Sequence, residues 1–126
     1  MRGHTARVKV FLVEDSPLLR PRLEAMLASI AGARLLGQAA GAPQAIEAIL
    51  TASPDAVVLD LHLEEGNGFD VLKALQKSAP HIAVYVITNF PSEPYRRKAA
   101  ALGARGFFDK SAEFHRLRDA LAAQAA

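Results

Sequence analysis

The chain has 126 residues, 51% of them apolar, with a net charge of only +2 and no cysteine. This length and composition predict one globular domain with its own core, and the lack of cysteine excludes disulfides and thiolate chemistry. The small net charge does not indicate a nucleic-acid surface, and no apolar run approaches the roughly 18 residues of a membrane span.

The N-terminus is polar and basic up to Arg7, and the first apolar segment begins at Val8. We therefore predict a short tail over residues 1–7 and a folded domain over residues 8–126. No signal-peptide pattern precedes Val8. Together with the lack of cysteine, this favours a cytoplasmic protein.

The first predicted strand is the apolar run 8–13, and Glu14 and Asp15 follow it directly. A helix is predicted to open near Ser16, because serine is a good N-cap. Pro21 removes a backbone donor, so we expect this helix to start late or to bend there. The predicted apolar stripe and stop of this helix are Leu18, Leu19, Leu23, Met26, Leu27, Ile30 and then Gly32.

The middle of the chain repeats the alternation of strand and helix. Residues 34–39 predict a weaker second strand, and a helix follows from Pro43 to the residue before Pro54. Its predicted apolar residues are Ala45, Ile46, Ile49 and Leu50. The later elements are predicted as strand 56–59 followed by Asp60, loop 63–68, a helix from Phe69 closed by Pro80, strand 82–87 followed by Thr88, helix 92–102, strand 105–108 followed by Lys110, and helix 112–122.

Five such strand–helix units with short connections predict an α/β fold. We expect a three-layer, doubly wound, five-stranded parallel sheet in the flavodoxin-like order 2-1-3-4-5. The first and third strands are neighbours in that order, so Glu14, Asp15 and Asp60 would converge at their carboxyl ends. Three like charges repel each other and need a cation. Carboxylate oxygens of this kind suit Mg²⁺.

Four motifs in this order resemble those of the receiver domains of two-component response regulators, over essentially the whole chain. They are residues 10–15, residues 57–61, Thr88 at the end of the fourth strand and Lys110 after the fifth. Each motif alone is weak, but the ordered set at strand ends is specific.

The resemblance implies a role for each of these residues. Asp60 would be the phosphoacceptor, with Thr88 and Lys110 acting on the phosphoryl group. Glu14 and Asp15 would bind Mg²⁺, with Asp60 and the backbone carbonyl of His62 completing the protein ligands. The switch residues implied by the resemblance are Thr88 and Phe107.

The implied function is that of a single-domain phosphoacceptor. Asp60 would take a phosphoryl group from the phosphohistidine of a histidine kinase or phosphotransfer protein, and the altered face would signal to a downstream protein. Catalysis would be limited to the protein's own phosphorylation and dephosphorylation, so the chain is not expected to be an enzyme in the usual sense. We expect no direct nucleic-acid or membrane partner. The fourth-helix face is a natural place for a phosphorylation-linked homodimer.

Three alternatives remain open from the sequence. The chain could be the receiver part of a longer DNA-binding regulator, or a non-phosphorylated protein-binding domain on the same fold. A phosphatase with an aspartate nucleophile is disfavoured, because such enzymes usually carry a second Asp two residues on, where this chain has His62.

Several residues near the predicted site depart from the common receiver pattern. Ser111 follows Lys110 where proline is usual, so we predict a trans peptide bond there, with Ser111 as the cap of the last helix. The His62 side chain is expected to be an exposed loop histidine. Phe90 is expected to pack on the loop after Asp60 or to shield the phosphoryl group. The run Arg96-Arg97-Lys98 predicts a solvated helix face, with docking of an acidic partner as the alternative.

Overall fold

The structure of the protein is a computed structural model, and it describes residues 7–126. The predicted tail lies outside the described residues except for Arg7, whose backbone N–H donates to the Gly32 carbonyl at 2.8 Å. The strands are β1 (Val8–Val13), β2 (Ala33–Ala39), β3 (Ala56–Asp60), β4 (Ala83–Thr88) and β5 (Gly106–Asp109). The helices are α1 (Leu19–Ala28), α2 (Ala42–Ala52), α3 (Gly68–Ser78), α4 (Glu93–Ala101) and α5 (Phe114–Ala125).

The five strands form one parallel sheet in the order β2-β1-β3-β4-β5, which confirms the predicted fold. The register pairs Val13 with Leu59 and Thr88 with Asp109. The carboxyl ends of β1, β3, β4 and β5 therefore meet at one edge of the sheet. In open α/β sheets this edge, at the point where strand order reverses, is where ligands bind.

Alternate residues of the central strands face two different helix layers. In β1, Phe11 and Val13 pack on the side of α2, α3 and α4, while Val10 and Leu12 pack on the side of α1 and α5. A strand that is buried on both faces needs apolar residues at every position, which explains the unbroken apolar runs. Each fully buried aliphatic side chain contributes about 1.5–3 kcal/mol, so this core can carry polar residues at the sheet edge.

Helix α1 is shorter than predicted. It ends at Ala28, four residues before Gly32, where the backbone bonds become tighter: the Ser29 N–H donates to the Met26 carbonyl and the Ile30 N–H to the Leu27 carbonyl, both at 3.1 Å. The late start was predicted correctly, and Ser16 accepts the Leu19 N–H at 3.2 Å. Pro21 lies in the first turn, where backbone N–H groups have no helical partner, and is tolerated for that reason.

Two leucines predicted on apolar helix faces are exposed instead. Leu18 is 84% exposed, because it lies in the turn that precedes α1. Leu50 of α2 is 42% exposed, and the buried positions of that helix are Ala42, Ala45 and Ile49. Within residues 7–126, no helix combines the length and apolar character needed to cross a membrane.

Candidate functional site

Three carboxylates lie together at the carboxyl edge of the sheet. Glu14 and Asp15 follow β1, and Asp60 ends the neighbouring strand β3. One oxygen from each carboxylate lies within 4.8 Å of the others. Glu14 is completely buried and Asp60 is only 2% exposed. The predicted convergence of these residues is therefore present in the fold.

Lys110 brings a positive charge to this cluster from the loop after β5. Its Nζ atom lies 3.0 Å from Asp60 Oδ2 and 3.0 Å from Glu14 Oε1. The ammonium donates hydrogen bonds to Asp60 Oδ2 at 3.0 Å and to Glu14 Oε2 at 3.3 Å. The buried Glu14 Oε1 has this ion-pair contact with Lys110 but accepts no hydrogen bond from the described residues.

One lysine does not offset the cost of burying these carboxylates. Burial raises the pKa of Glu14, and the negative charge of Asp60 raises it further. Burial likewise raises the pKa of Asp60, although the His62 N–H and Lys110 oppose this. Burial alone would lower the pKa of Lys110, but hydrogen bonds and charges from Asp60 and Glu14 together outweigh it and raise that pKa. Lys110 is therefore cationic at neutral pH.

The raised pKa of Asp60 predicts that Asp60→Asn is more stable than the natural protein when Mg²⁺ is chelated. A carboxyl whose pKa is higher in the folded state stabilises the fold at low pH, and this contribution is lost as pH rises through the folded-state pKa. At neutral pH the ionised group is therefore a penalty, which the amide removes. We expect the melting temperature in EDTA to rise by several degrees, since 1 kcal/mol corresponds to about 4 °C in a domain of this size.

Thermal unfolding followed by circular dichroism, with and without Mg²⁺, measures this effect. Bound Mg²⁺ should raise the melting temperature of the natural protein by mass action. The increase should be smaller for Asp60→Asn, because an amide oxygen replaces one charged carboxylate ligand. A variant that melts at or below the natural protein in EDTA contradicts the electrostatic argument.

The carboxylate cluster fits the requirements of a magnesium ion. The ligand atoms of the three carboxylates are oxygens, as Mg²⁺ prefers, and the buried Glu14 Oε1 accepts no hydrogen bond from any residue in the range 7–126. The other oxygens are oriented by the backbone, since Ser16 N–H donates to Glu14 Oε2 at 3.0 Å and His62 N–H donates to Asp60 Oδ1 at 3.1 Å. The His62 carbonyl as a further ligand stays a prediction.

Thr88 ends β4 at the same edge and is completely buried. Its hydroxyl oxygen accepts the Phe90 N–H at 3.0 Å, so the hydroxyl hydrogen is free to be donated elsewhere. Its carbonyl accepts the Lys110 N–H at 2.9 Å. The backbone of Thr88 therefore connects the loop after β4 to the loop that carries Lys110.

Phe107 in β5 is only 8% exposed and packs among core residues on the α4 side of the sheet. The Arg96 guanidinium lies over its ring at 4.7 Å and donates to the Phe107 carbonyl at 3.4 Å. The ring is thus already buried here, and its movement on phosphorylation stays a prediction.

All three residues of the basic run 96–98 are exposed, as expected for a solvated face, and Lys98 stacks over Phe69 at 4.4 Å.

His62 and Phe90 flank the site from two different loops. His62 is exposed, as predicted, and its ring centroid lies 4.9 Å from that of Phe90 in an edge-on arrangement. Phe90 is 63% exposed. The expectation that Phe90 packs on the loop after Asp60 is therefore confirmed.

Gly68 is part of the site's framework, although the sequence indicated only a loop there. A Cβ atom at this position would lie 2.5 Å from the Asp60 carbonyl oxygen and 2.7 Å from Leu61 Cα. The Gly68 N–H also donates to the Leu61 carbonyl at 2.9 Å. The first turn of α3 therefore lies directly against the carboxyl end of β3, and the signal for this was a glycine just after the Asn67 helix cap.

The loop after β5 confirms one prediction and corrects another. The peptide bond between Lys110 and Ser111 is trans. Ser111 does not cap the last helix, since α5 begins only at Phe114 and Glu113 is the residue before it. The early turn is held by the Asp109 carboxylate, which accepts the Ser111 N–H at 2.7 Å. The sequence pattern had indicated no role for Asp109.

A family model described as the response regulator receiver domain matches residues 10–122. The chain is 29% identical over 114 residues to the response regulator GacA of Pseudomonas aeruginosa, covering 90% of this chain and 53% of GacA. It is 31% identical over 103 residues to the DNA-binding transcriptional activator DevR/DosR of Mycobacterium tuberculosis, covering 82% of this chain and 48% of that protein. The chain thus spans about half the length of these curated relatives.

Solved structures give the same result for the fold. The response regulator domain of Thermotoga maritima CheB aligns with a TM-score of 0.81 at 25% identity, over 94% of this chain and 95% of that domain. A LuxR-family two-component response regulator from Aurantimonas sp. SI85-9A1 aligns with a TM-score of 0.83 at 25% identity, over 95% and 86% of the two chains. From the family match and the shared fold together, this chain belongs to the receiver domain family of two-component response regulators.

Proposed function

We propose that Asp60 accepts a phosphoryl group from the phosphohistidine of a histidine kinase or phosphotransfer protein. The observation that carries this proposal is the pairing of a buried Asp60 with Lys110, 3.0 Å away, beside the two carboxylates Glu14 and Asp15. A buried carboxylate between a cation and a magnesium-type ligand set is suited to act as a nucleophile towards phosphorus.

In the proposed reaction an Asp60 carboxylate oxygen attacks phosphorus, and the bond from phosphorus to the donor histidine nitrogen breaks. The product is an acyl phosphate on Asp60 and a neutral histidine after protonation. Because Asp60 lies at the end of a fully buried strand, its direction of attack is held by the sheet. Glu14, Asp15 and Asp60 would hold Mg²⁺, which when bound neutralises charge on phosphoryl oxygens.

Lys110 and Thr88 would contact the transferred group. The raised pKa of Lys110, caused by Asp60 and Glu14 against the effect of burial, supports a permanent ammonium that can pair with a phosphoryl oxygen. The Thr88 hydroxyl hydrogen can be donated to another phosphoryl oxygen. This would shift Thr88, and Phe107 would respond behind it, changing the face formed by α4, β5 and α5. A partner that prefers one arrangement of this face reads the state.

We infer that the chain's own catalysis is confined to its phosphorylation and dephosphorylation, and that its direct partners are a phosphodonor protein in the cytoplasm and a downstream protein. A homodimer through the α4 face is part of this proposal.

The second candidate function is that of a receiver within a longer DNA-binding regulator. The coverage of only 48% of DevR/DosR favours it, and the length of the encoding reading frame distinguishes the two.

Intact-mass measurement after incubation with acetyl phosphate tests the proposal. With Mg²⁺ present we expect a gain of one phosphoryl group that is lost on treatment with hydroxylamine, which cleaves acyl phosphates. EDTA should abolish the gain, because the carboxylate cluster then lacks its neutralising ion. No mass gain with Mg²⁺, from acetyl phosphate or a phosphorylated kinase, contradicts the proposal and favours a non-phosphorylated binding domain.

A further inference from the structure

The position of Lys110 depends on a short loop that lacks the usual proline. Only residues 110–113 separate the end of β5 from the start of α5. From this loop the Lys110 side chain extends to the carboxylates of Glu14, which follows β1, and Asp60, which ends β3. The side chain is only 11% exposed. A small shift of the loop backbone would therefore move the ammonium away from Asp60.

Two acidic side chains at the ends of the loop close it on itself. The Asp109 Oδ1 atom accepts the Ser111 N–H at 2.7 Å and the Ala112 N–H at 3.2 Å. In return, the Asp109 N–H donates to Glu113 Oε1 at 3.0 Å, and the Glu113 N–H donates to the Asp109 carbonyl at 3.0 Å. We call Asp109 and Glu113 with these four hydrogen bonds the loop clamp.

The loop clamp restrains the chain on the C-terminal side of Lys110. On the N-terminal side, the Lys110 N–H donates to the Thr88 carbonyl at 2.9 Å. The peptide groups on both sides of Lys110 are thus tied down, by β4 and by the clamp. Neither clamp residue belongs to the carboxylate cluster found among the described residues, so their contribution must pass through the backbone of Lys110.

We propose that the carboxylates of Asp109 and Glu113 are positioning groups that hold the Lys110 ammonium against Asp60 for phosphoryl transfer. This inference rests on the proposed function of Asp60. Asp109 holds the loop by accepting hydrogen bonds and not by its charge, since its side-chain contacts are to the backbone N–H groups of Ser111 and Ala112. Displacement of a catalytic group by about 1 Å can cost as much as 10²-fold in rate, so loosening the loop should slow the transfer.

The main test compares Asp109→Ala with Asp109→Asn. The alanine variant removes the acceptor of two N–H groups, whereas the asparagine Oδ1 can accept both. Because Ser111 and Ala112 are exposed, water can satisfy the freed donors and the fold should survive. We expect the phosphorylation rate with acetyl phosphate to fall about tenfold in Asp109→Ala and to stay within about twofold of the natural protein in Asp109→Asn.

Magnesium affinity separates positioning from general damage. We measure the dissociation constant for Mg²⁺ by isothermal titration calorimetry. It should change by less than about twofold in Asp109→Ala, because the loop clamp does not contact the carboxylates proposed to bind the ion. As a control, Asp119→Ala removes an exposed carboxylate in α5 that makes no side-chain hydrogen bond or ion pair among residues 7–126, and it should leave the rate unchanged.

A second readout does not require phosphorylation. Trace acetylation with acetic anhydride, quantified by mass spectrometry against exposed Lys77, reports how well Lys110 is held. We expect Lys110 labelling to rise several-fold in Asp109→Ala and in Glu113→Ala, but not in Asp109→Asn or Glu113→Gln, since the buried, ion-paired amine reacts slowly.

The outcomes separate the two proposals. If the natural protein takes no phosphoryl group, the proposed function fails, while the labelling still tests the clamp. Normal phosphorylation and normal labelling in Asp109→Ala overturn the clamp. Asp109→Asn behaving like Asp109→Ala also overturns it, because charge rather than hydrogen bonding would then be responsible.

Discussion

Asp60→Asn is expected to gain no phosphoryl group under conditions in which the natural protein gains one. The amide has nearly the shape of the carboxylate but is a far weaker nucleophile, so attack on phosphorus is lost. The variant keeps the acceptor for the His62 N–H, which now meets Asp60 Oδ1 at 3.1 Å. The melting temperature of Asp60→Asn, measured in the presence of Mg²⁺, shows whether the variant is folded under the assay conditions.

Intact mass after incubation with acetyl phosphate and Mg²⁺ measures this result. Asp119→Asn, which makes the same chemical change on the exposed face of α5, serves as the matched control and should be phosphorylated normally. An Asp60→Asn protein that gains the full phosphoryl mass would show that another residue is the acceptor. Peptide mapping of the modified protein would then identify that residue.

Gly68→Ala is expected to impair both stability and phosphoryl uptake. The added methyl group would lie 2.5 Å from the Asp60 carbonyl oxygen and 2.7 Å from Leu61 Cα. Both neighbours are backbone atoms, so the strand end or α3 must move. Overpacking of this kind typically costs about 1–3 kcal/mol. The displacement falls on Asp60, the proposed phosphoacceptor, so we expect a drop in phosphorylation rate of about tenfold or more.

Gly41→Ala provides the matched control for this substitution. Its Cβ would lie 2.5 Å from Gln44 Oε1, the movable end of an exposed side chain, and 3.2 Å and 3.3 Å from Glu65 Oε1 and Cβ, where a shift of about a few tenths of an ångström relieves the contact. We expect a smaller loss of stability and a normal phosphorylation rate. Urea unfolding and phosphorylation kinetics on both variants make the comparison. Equal effects of the two substitutions would refute the argument that the contact between α3 and β3 positions Asp60.

Burial pattern and turn chemistry explain why so much of the fold was predictable. The largely apolar runs that end at Val13, Leu59 and Ile87 are typical of strands covered on both faces, and they lie in β1, β3 and β4. Right-handed, short connections reduce the possible orders of these strands to a few, and the doubly wound order 2-1-3-4-5 is a common one among them. Because carboxyl ends of parallel strands share one edge, the meeting of Glu14, Asp15 and Asp60 could be predicted from the same pattern.

Helix ends were less predictable, because they depend on local competition for backbone groups. Helix α1 ends at Ala28, where the following N–H groups of Ser29 and Ile30 donate to carbonyls three residues back, whereas Gly32 had been the predicted stop. Leu18 fits the helical spacing of α1 but lies in the turn before it and is exposed. Spacing in sequence cannot tell whether the first turn of a helix has already formed.

The sequence predicted which residue types form the site and which strand order brings them together. This was possible because strands that are buried on both faces have a simple apolar pattern in the local sequence. The contacts that set the site's geometry depend on residues far apart in sequence, and only the folded chain reveals them. Gly68 matters because α3 packs within contact of β3, and Lys110 meets Glu14 across 96 positions. Likewise, the role of Asp109 depends on the path of the loop after β5. Distances across a packed sheet edge are decided by three-dimensional packing, which no local pattern encodes.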